Sequence, residues 1–93
     1  MIISFKCKNT KEVWEKGKSK AFPSSIHRVI LRKLLILDSA VELNDLRSPP
    51  GNRLEALKGD REGQHSIRIN DQWRLCFKWI SGHIEDVEIV DYH

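Results

Sequence analysis

The hydrophobic period of this chain changes once, and that change constrains the fold more than any other feature. Up to about residue 39 the stripe recurs at helical spacing: Ile26, Val29, Ile30, Lys33/Leu34 and Leu37 lie three and four apart. Ser48-Pro49-Pro50-Gly51-Asn52 then removes two backbone donors and invites a turn, so residues 42–52 are expected to form a loop. Beyond the prolines the period becomes two. In Ser66-Ile67-Arg68-Ile69 and in Trp73-Arg74-Leu75-Cys76-Phe77-Lys78-Trp79 the apolar residues are odd-numbered. A helical half followed by a strand half implies α+β, with helices on one face of an antiparallel sheet.

The element boundaries follow from local chemistry. Ile2-Ile3-Ser4-Phe5-Lys6 reads as a first strand. Asn9 or Thr10 is the expected cap of a short helix with body Lys11-Glu12-Val13-Trp14-Glu15-Lys16, stopped by Gly17. Ser24 or Ser25 is expected to cap a second helix over 25–39, with His27, Arg28, Arg32 and Lys33 on its polar side. Leu54 and Leu57 are three apart, which predicts a bulge or an early strand end there. Ile84, Val87 and Ile89 supply the last strand. Trp14, Trp73 and Trp79 are expected to pack against the core.

Parity sets the register of the central hairpin. Opposed residues of an antiparallel pair share a face. A two-residue loop would oppose Arg68 to Trp73 and bring an arginine to the core side. A three-residue loop, Asn70-Asp71-Gln72, opposes Ile69 to Trp73, Arg68 to Arg74 and Ile67 to Leu75. Asn70 or Asp71 is then expected in a left-handed conformation. Ser66, Arg68, Arg74, Cys76 and Lys78 share the face away from the core. Two opposed arginines repel, so this face is expected either to be laced by Glu55, Glu88 or Asp86, or to bind phosphate, whose oxygens match a guanidinium.

Composition narrows the class. Ninety-three residues allow one domain, 1–93, with one small core. Residues 1–33 carry nine Lys/Arg and two Glu, net +7, against net −4 for residues 34–93. A basic first third suggests an anionic partner. No run approaches the roughly 18 apolar residues of a membrane span, and the N-terminus lacks signal-peptide organisation, so a cytoplasmic protein without membrane association is expected. Cys7 and Cys76 are expected to be reduced thiols, and the scattered histidines offer no zinc-binding spacing.

Three segments in order, Leu57-Lys58-Gly59-Asp60-Arg61-Glu62-Gly63, Ser66-Ile67-Arg68-Ile69-Asn70-Asp71-Gln72-Trp73-Arg74 and the terminal Asp91-Tyr92-His93, resemble the HigB-type toxins of the RelE/ParE superfamily. Similarity extends over essentially the whole chain. The resemblance implies a RelE-like fold, with two N-terminal helices on one face of a curved antiparallel sheet of four to five strands. It implies a metal-independent mRNA endonuclease that needs no cofactor and cuts mRNA in the ribosomal A site through the ribose 2′-OH. It also implies a helix-turn-helix antitoxin of the HigA type, with operator DNA reached only through that antitoxin.

Carried over residue by residue, the resemblance implies catalytic roles for Arg74 at the scissile phosphate, Lys58 as added positive charge, and Tyr92 on a base or the 2′-OH. Asp91 and His93 are further proton-transfer candidates. Glu55 stands where some relatives have a histidine and is a candidate base. Arg68, Asn70, Lys78, Arg53 and Arg61 are the candidate RNA contacts. Asn70 stands where some relatives have an arginine, and Arg68 shares its parity. A ParE-like inhibitor of DNA gyrase, which makes no cut, and a ribosome- or RNA-binding module with weak catalysis are the alternatives. RNA ends after induction separate them.

Overall fold

The structure is a computed structural model and describes residues 1–92. Helix α1 spans Lys8–Lys16 and α2 spans His27–Ser39. Four strands follow: β1 Glu55–Ala56, β2 Gln64–Arg68, β3 Trp73–Ile80 and β4 His83–Asp91. They form one antiparallel sheet in sequential order. The helices cover one of its faces, so the fold is the α+β arrangement that the change of period implies. Val13 of α1 and Ile30, Leu34 and Leu37 of α2 are fully buried with Ile67, Leu75, Phe77, Ile84 and Val87 of the sheet. Each such side chain stabilises the fold by about 1.5–3 kcal/mol relative to exposure. Trp14, Trp73 and Trp79 pack around this core, as expected.

The hairpin register follows parity. Ile67 opposes Leu75 and Arg68 opposes Arg74. The backbone N–H groups of Ile69 and Asn70 both donate to the Trp73 carbonyl, at 3.0 and 3.2 Å. The loop closes differently from expectation, since neither Asn70 nor Asp71 has positive φ. Instead Asn70 Oδ1 accepts from the N–H groups of Gln72 (2.9 Å) and Trp73 (2.8 Å). The side chain mimics a backbone turn and removes the need for a left-handed residue.

A bulge explains a change of parity in the last strand. Cys76 opposes Glu88 while Lys78 opposes Glu85, so β4 has one more residue than β3 between these pairs. Asp86 occupies the bulge at φ 53°. The extra residue lets even-numbered Ile84 and odd-numbered Val87 both face the core. The N-terminal segment answers the same spacing. Ile2 bridges Ile84 and Phe5 bridges Val87, both in parallel, so residues 2–5 make two isolated bridges along β4 instead of the regular strand expected.

Two other expectations are corrected and a third is resolved. Thr10 does not cap α1. The helix begins after Cys7, and the buried Thr10 Oγ1 accepts the Ile89 N–H at 3.1 Å, tying α1 to β4. Gly17 does stop the helix in a left-handed conformation, with its N–H on the Val13 carbonyl. Neither Ser24 nor Ser25 caps α2, because a 3-10 turn over Ser24–Ile26 precedes it. Lys33, which the spacing allows on either the stripe or the polar side of α2, lies on the stripe and not on the polar side. It is 6% exposed and donates to Asn52 Oδ1. The 42–52 segment contains 3-10 turns at Leu43–Arg47 and Pro50–Asn52. The early strand end near Leu54 and Leu57 is found, since β1 has only two residues.

Candidate functional site

The sheet face away from the helices is not open. Ser66, Cys76 and Arg74 are all buried on it. Burial pushes the Cys76 thiol up from its ordinary range. At the hairpin-loop end a cleft of about 240 Å³ is lined by Arg53, Glu55, Arg68, Asn70, Asp71, Arg74 and Tyr92. Six of the candidate residues converge there from β1, its preceding loop, the hairpin and the end of the chain.

Arg74 is the centre of this cleft. Its Nε donates to Ser66 Oγ at 2.8 Å. Its Nη2 donates to the Arg53 carbonyl at 2.6 Å and to the Ser66 carbonyl at 3.3 Å. Its Nη1 stands 3.5 Å from Glu55 Oε1. A guanidinium has five N–H donors in a rigid plane, so these contacts fix both position and orientation while the group still lines the cleft. The Arg53 carbonyl reaches Arg74 because Arg53 is itself left-handed, at φ 45° and ψ 58°. A non-glycine residue in that region is uncommon and carries backbone strain.

Tyr92 covers Arg74 from the other side, with the guanidinium carbon 5.8 Å from its ring centroid, within cation–π range. The Tyr92 N–H donates to the Gln72 carbonyl, and Gln72 Nε2 donates to Asp91 Oδ2 at 3.2 Å. The end of β4 is thereby tied to the hairpin loop, which holds Tyr92 beside Arg74. Arg68 pairs with Asp71. The opposed arginines therefore each have a carboxylate neighbour, which relieves their repulsion.

The remaining candidates lie elsewhere. Lys58 is exposed, at the start of the 3-10 turn Gly59–Arg61, and does not line the cleft. Arg61 donates to Glu88 Oε1 at 2.7 Å and to Gln64 Oε1 at 3.3 Å. The Glu88 carboxylate raises the guanidinium pKa still further. Lys78 pairs with Asp86 at 3.2 Å. Asp91 sits opposite Trp73, on the Gln72 side of the chain end. His93 lies outside the described residues.

Ser66, Asp71 and Gln72 were not among the site residues read from the sequence. Ser66 was detectable in principle, because it shares the face of Arg74 and sits diagonally from it in the predicted register. Asp71 and Gln72 carried no signal of their own.

The comparisons with known proteins bear on the family and the fold. A family described as the RelE-like toxin of the type II toxin–antitoxin system HigB matches residues 3–93. A Vibrio cholerae protein named toxin HigB-1 is 47% identical over 83 residues, covering 88% of this chain and 87% of its own length. A Proteus vulgaris protein named endoribonuclease HigB is 38% identical over 93 residues, covering both chains in full. Among solved structures, a YafQ variant from E. coli superposes with a TM-score of 0.66 at 13% identity, over 98% of this chain and 91% of that one. YoeB in its complex with YefM from Staphylococcus aureus gives 0.62 at 21% identity, over 100% and 95%. These two likenesses concern the fold alone. Among the described residues no helix is long and apolar enough to cross a membrane.

Proposed function

This chain belongs to the RelE-like HigB toxin family of type II toxin–antitoxin systems, and from that premise we propose that it is an endoribonuclease that cuts mRNA on the ribosome. The observation that carries the reading is the Arg74 guanidinium, held from three sides at the wall of a cleft that also presents Arg53, Arg68 and Tyr92. A fixed guanidinium beside further arginines suits a phosphodiester, and an aromatic ring at the same wall suits a base. The relative named endoribonuclease HigB supports RNA as the substrate.

The reaction follows from RNA chemistry. The ribose 2′-oxygen bonds to the adjacent phosphorus and the bond to the 5′-oxygen breaks, giving a 2′,3′-cyclic phosphate and a 5′-hydroxyl. Charge on the phosphoryl oxygens grows in the transition state, and Arg74 is already oriented to meet it without reorganisation. Glu55, beside Arg74, takes the 2′-hydroxyl proton. The leaving oxygen draws its proton from the end of the chain, where Tyr92, Asp91 and His93 are the donors to compare. Tyr92 also stacks on a base. Lys58 acts on the RNA backbone outside the cleft, while Arg61 and Lys78, paired with Glu88 and Asp86, are held within the protein. Neither a metal nor a cofactor takes part in this scheme.

Residues 1–93 act as one toxin domain in the cytoplasm. The ribosome positions the mRNA, and the basic first third meets ribosomal RNA phosphates. A helix-turn-helix antitoxin of the HigA type holds the toxin and carries it to operator DNA. The crystal structure of the YoeB–YefM toxin–antitoxin complex from Staphylococcus aureus supports an antitoxin partner by analogy.

The test is cleavage during translation in a reconstituted system. Wild type should produce mRNA fragments ending in cyclic phosphate, and Arg74→Ala should not. Equal cleavage by both would remove Arg74 from the mechanism. Gyrase inhibition without new RNA ends would replace the reading with the ParE-like one.

A further inference from the structure

Lys33 is a lysine where the helix pattern calls for an apolar residue. It lies in the stripe of α2 between Ile30 and Leu37, 6% exposed. Burial, with Arg32 and Arg68 nearby, lowers its pKa from the ordinary lysine value. An ammonium in that setting is a poor source of stability, since an apolar side chain of similar volume fills such a site at least as well. Its partner gives it another role. Lys33 Nζ donates to Oδ1 of Asn52, which is itself fully buried. That contact decides which way the Asn52 amide points, because an ammonium can only donate. The amide nitrogen is thereby turned to the carbonyls of Leu46 and Ser48, both at 3.1 Å.

The consequence reaches the cleft through the backbone. Asn52 ends the 3-10 turn Pro50–Asn52, and the next residue is the left-handed Arg53. A strained residue persists only where its surroundings over-determine it. The Arg53 carbonyl is the 2.6 Å acceptor of Arg74 Nη2, and the Arg53 side chain lines the cleft. A continuous series of contacts thus runs from α2 through Lys33 and Asn52 to Arg53 and Arg74.

We propose that Lys33 and Asn52 are a positioning pair for the cleft: their buried hydrogen bond holds the left-handed Arg53 turn, and through its carbonyl the orientation of Arg74. Neither residue touches RNA. The role in catalysis rests on the reading of the cleft as a ribonuclease site, but the effect on Arg74 does not.

The experiment therefore uses two independent readouts on the full chain, for Lys33→Met, Lys33→Leu and Asn52→Asp, with thermal unfolding to establish that each is folded. Asn52→Asp keeps an acceptor for Lys33 and removes the donor to Leu46 and Ser48. The first readout is the side-chain Nε–H resonance of Arg74 by NMR. The second is translation-coupled cleavage, separated into kcat and KM. In folded variants the Arg74 resonance should move or broaden. Cleavage should fall on the order of a hundredfold, mainly in kcat, as expected when a charge-stabilising group is displaced by about 1 Å. An unmoved Arg74 resonance in folded Lys33→Met and Asn52→Asp overturns the proposal, whatever the activity. A moved resonance in a protein whose wild type cuts no RNA upholds the pair and overturns the ribonuclease reading instead. If Lys33→Met does not fold, Lys33→Leu, which likewise removes the hydrogen bond to Asn52, decides by the same resonance.

Discussion

The two ends of the outer sheet face use the same residue types differently. At the far end Glu88 is 16% exposed on its side chain and lies between Arg61 at 2.7 Å and Lys6 at 3.8 Å, while Lys78 faces Asp86. Those charges are satisfied within the protein. At the hairpin-loop end three arginines meet two carboxylates, and Glu55 is 55% exposed at 3.5 Å from Arg74. An exposed ion pair contributes only about 0–1 kcal/mol, so a phosphate can displace Glu55 from Arg74 with little loss. Arg74 itself cannot follow, because Ser66 and the Arg53 carbonyl hold it. A fixed cation with a loosely held counter-ion is a binding group, whereas a fixed cation with a closed counter-ion is a structural one.

The sharpest way to break this contrast is to keep the charge of Arg74 and remove its fork. Arg74→Lys retains a cation but loses the rigid planar fork that spans Ser66, the Arg53 carbonyl and Glu55 together. Cleavage on ribosomes should fall roughly 10²-fold, the scale of losing one oriented charge-stabilising donor. Activity near wild type would show that charge alone suffices.

Tyr92 comes next. Tyr92→Ala should reduce cleavage about tenfold, the weight of one lost base stack. Tyr92→Phe should separate stacking from the hydroxyl, retaining most activity if the ring is what counts. Single-turnover assays on stalled ribosomes read both.

The far end should respond in stability instead. Glu88→Gln removes the negative charge that Arg61 and Lys6 share and leaves only an amide oxygen to accept from them. It should lower unfolding free energy by about 1 kcal/mol in denaturant titration, with cleavage within about twofold of wild type. A large loss of activity with unchanged stability would erase the distinction between the two ends.

The smallest effect tests how firmly a surface carboxylate can be held. Asp45 Oδ2 accepts the backbone N–H groups of Val41 (3.0 Å) and Glu42 (2.9 Å), which lower its pKa below 3.8. A depressed carboxylate contributes stability that is present above its unfolded value and lost as pH falls through the folded one. Asp45→Asn should therefore be less stable than wild type at neutral pH, and the gap should narrow as pH falls below about 3.8. A gap independent of pH would assign the effect to shape, not charge.

Much of the site was legible because strand parity is a strict rule. One face must stay apolar, so the odd-numbered residues of β2 and β3 fixed which arginine opposes which. The lacing carboxylates Glu55, Glu88 and Asp86 were readable for the same reason. The Asn70 turn was misread because two chemistries close that loop, a left-handed residue or an amide accepting two N–H groups. Thr10 was misread and Lys33 was ambiguous because the partners that claim them, the Ile89 amide and the Asn52 side chain, lie 79 and 19 residues away.

The sequence by itself determined the fold class, the hairpin register and the family, since these rest on periodicity and ordered motifs within short windows of chain. Only the tertiary structure decided that Arg74, Arg53, Glu55 and Tyr92 share one cleft while Arg61 and Lys78 do not. It also decided that a lysine of α2 bonds Asn52, the residue before Arg53 of that cleft. Convergence of that kind depends on where a strained carbonyl and a chain end come to rest. Those positions are set by hydrogen bonds between distant segments, which no local pattern encodes.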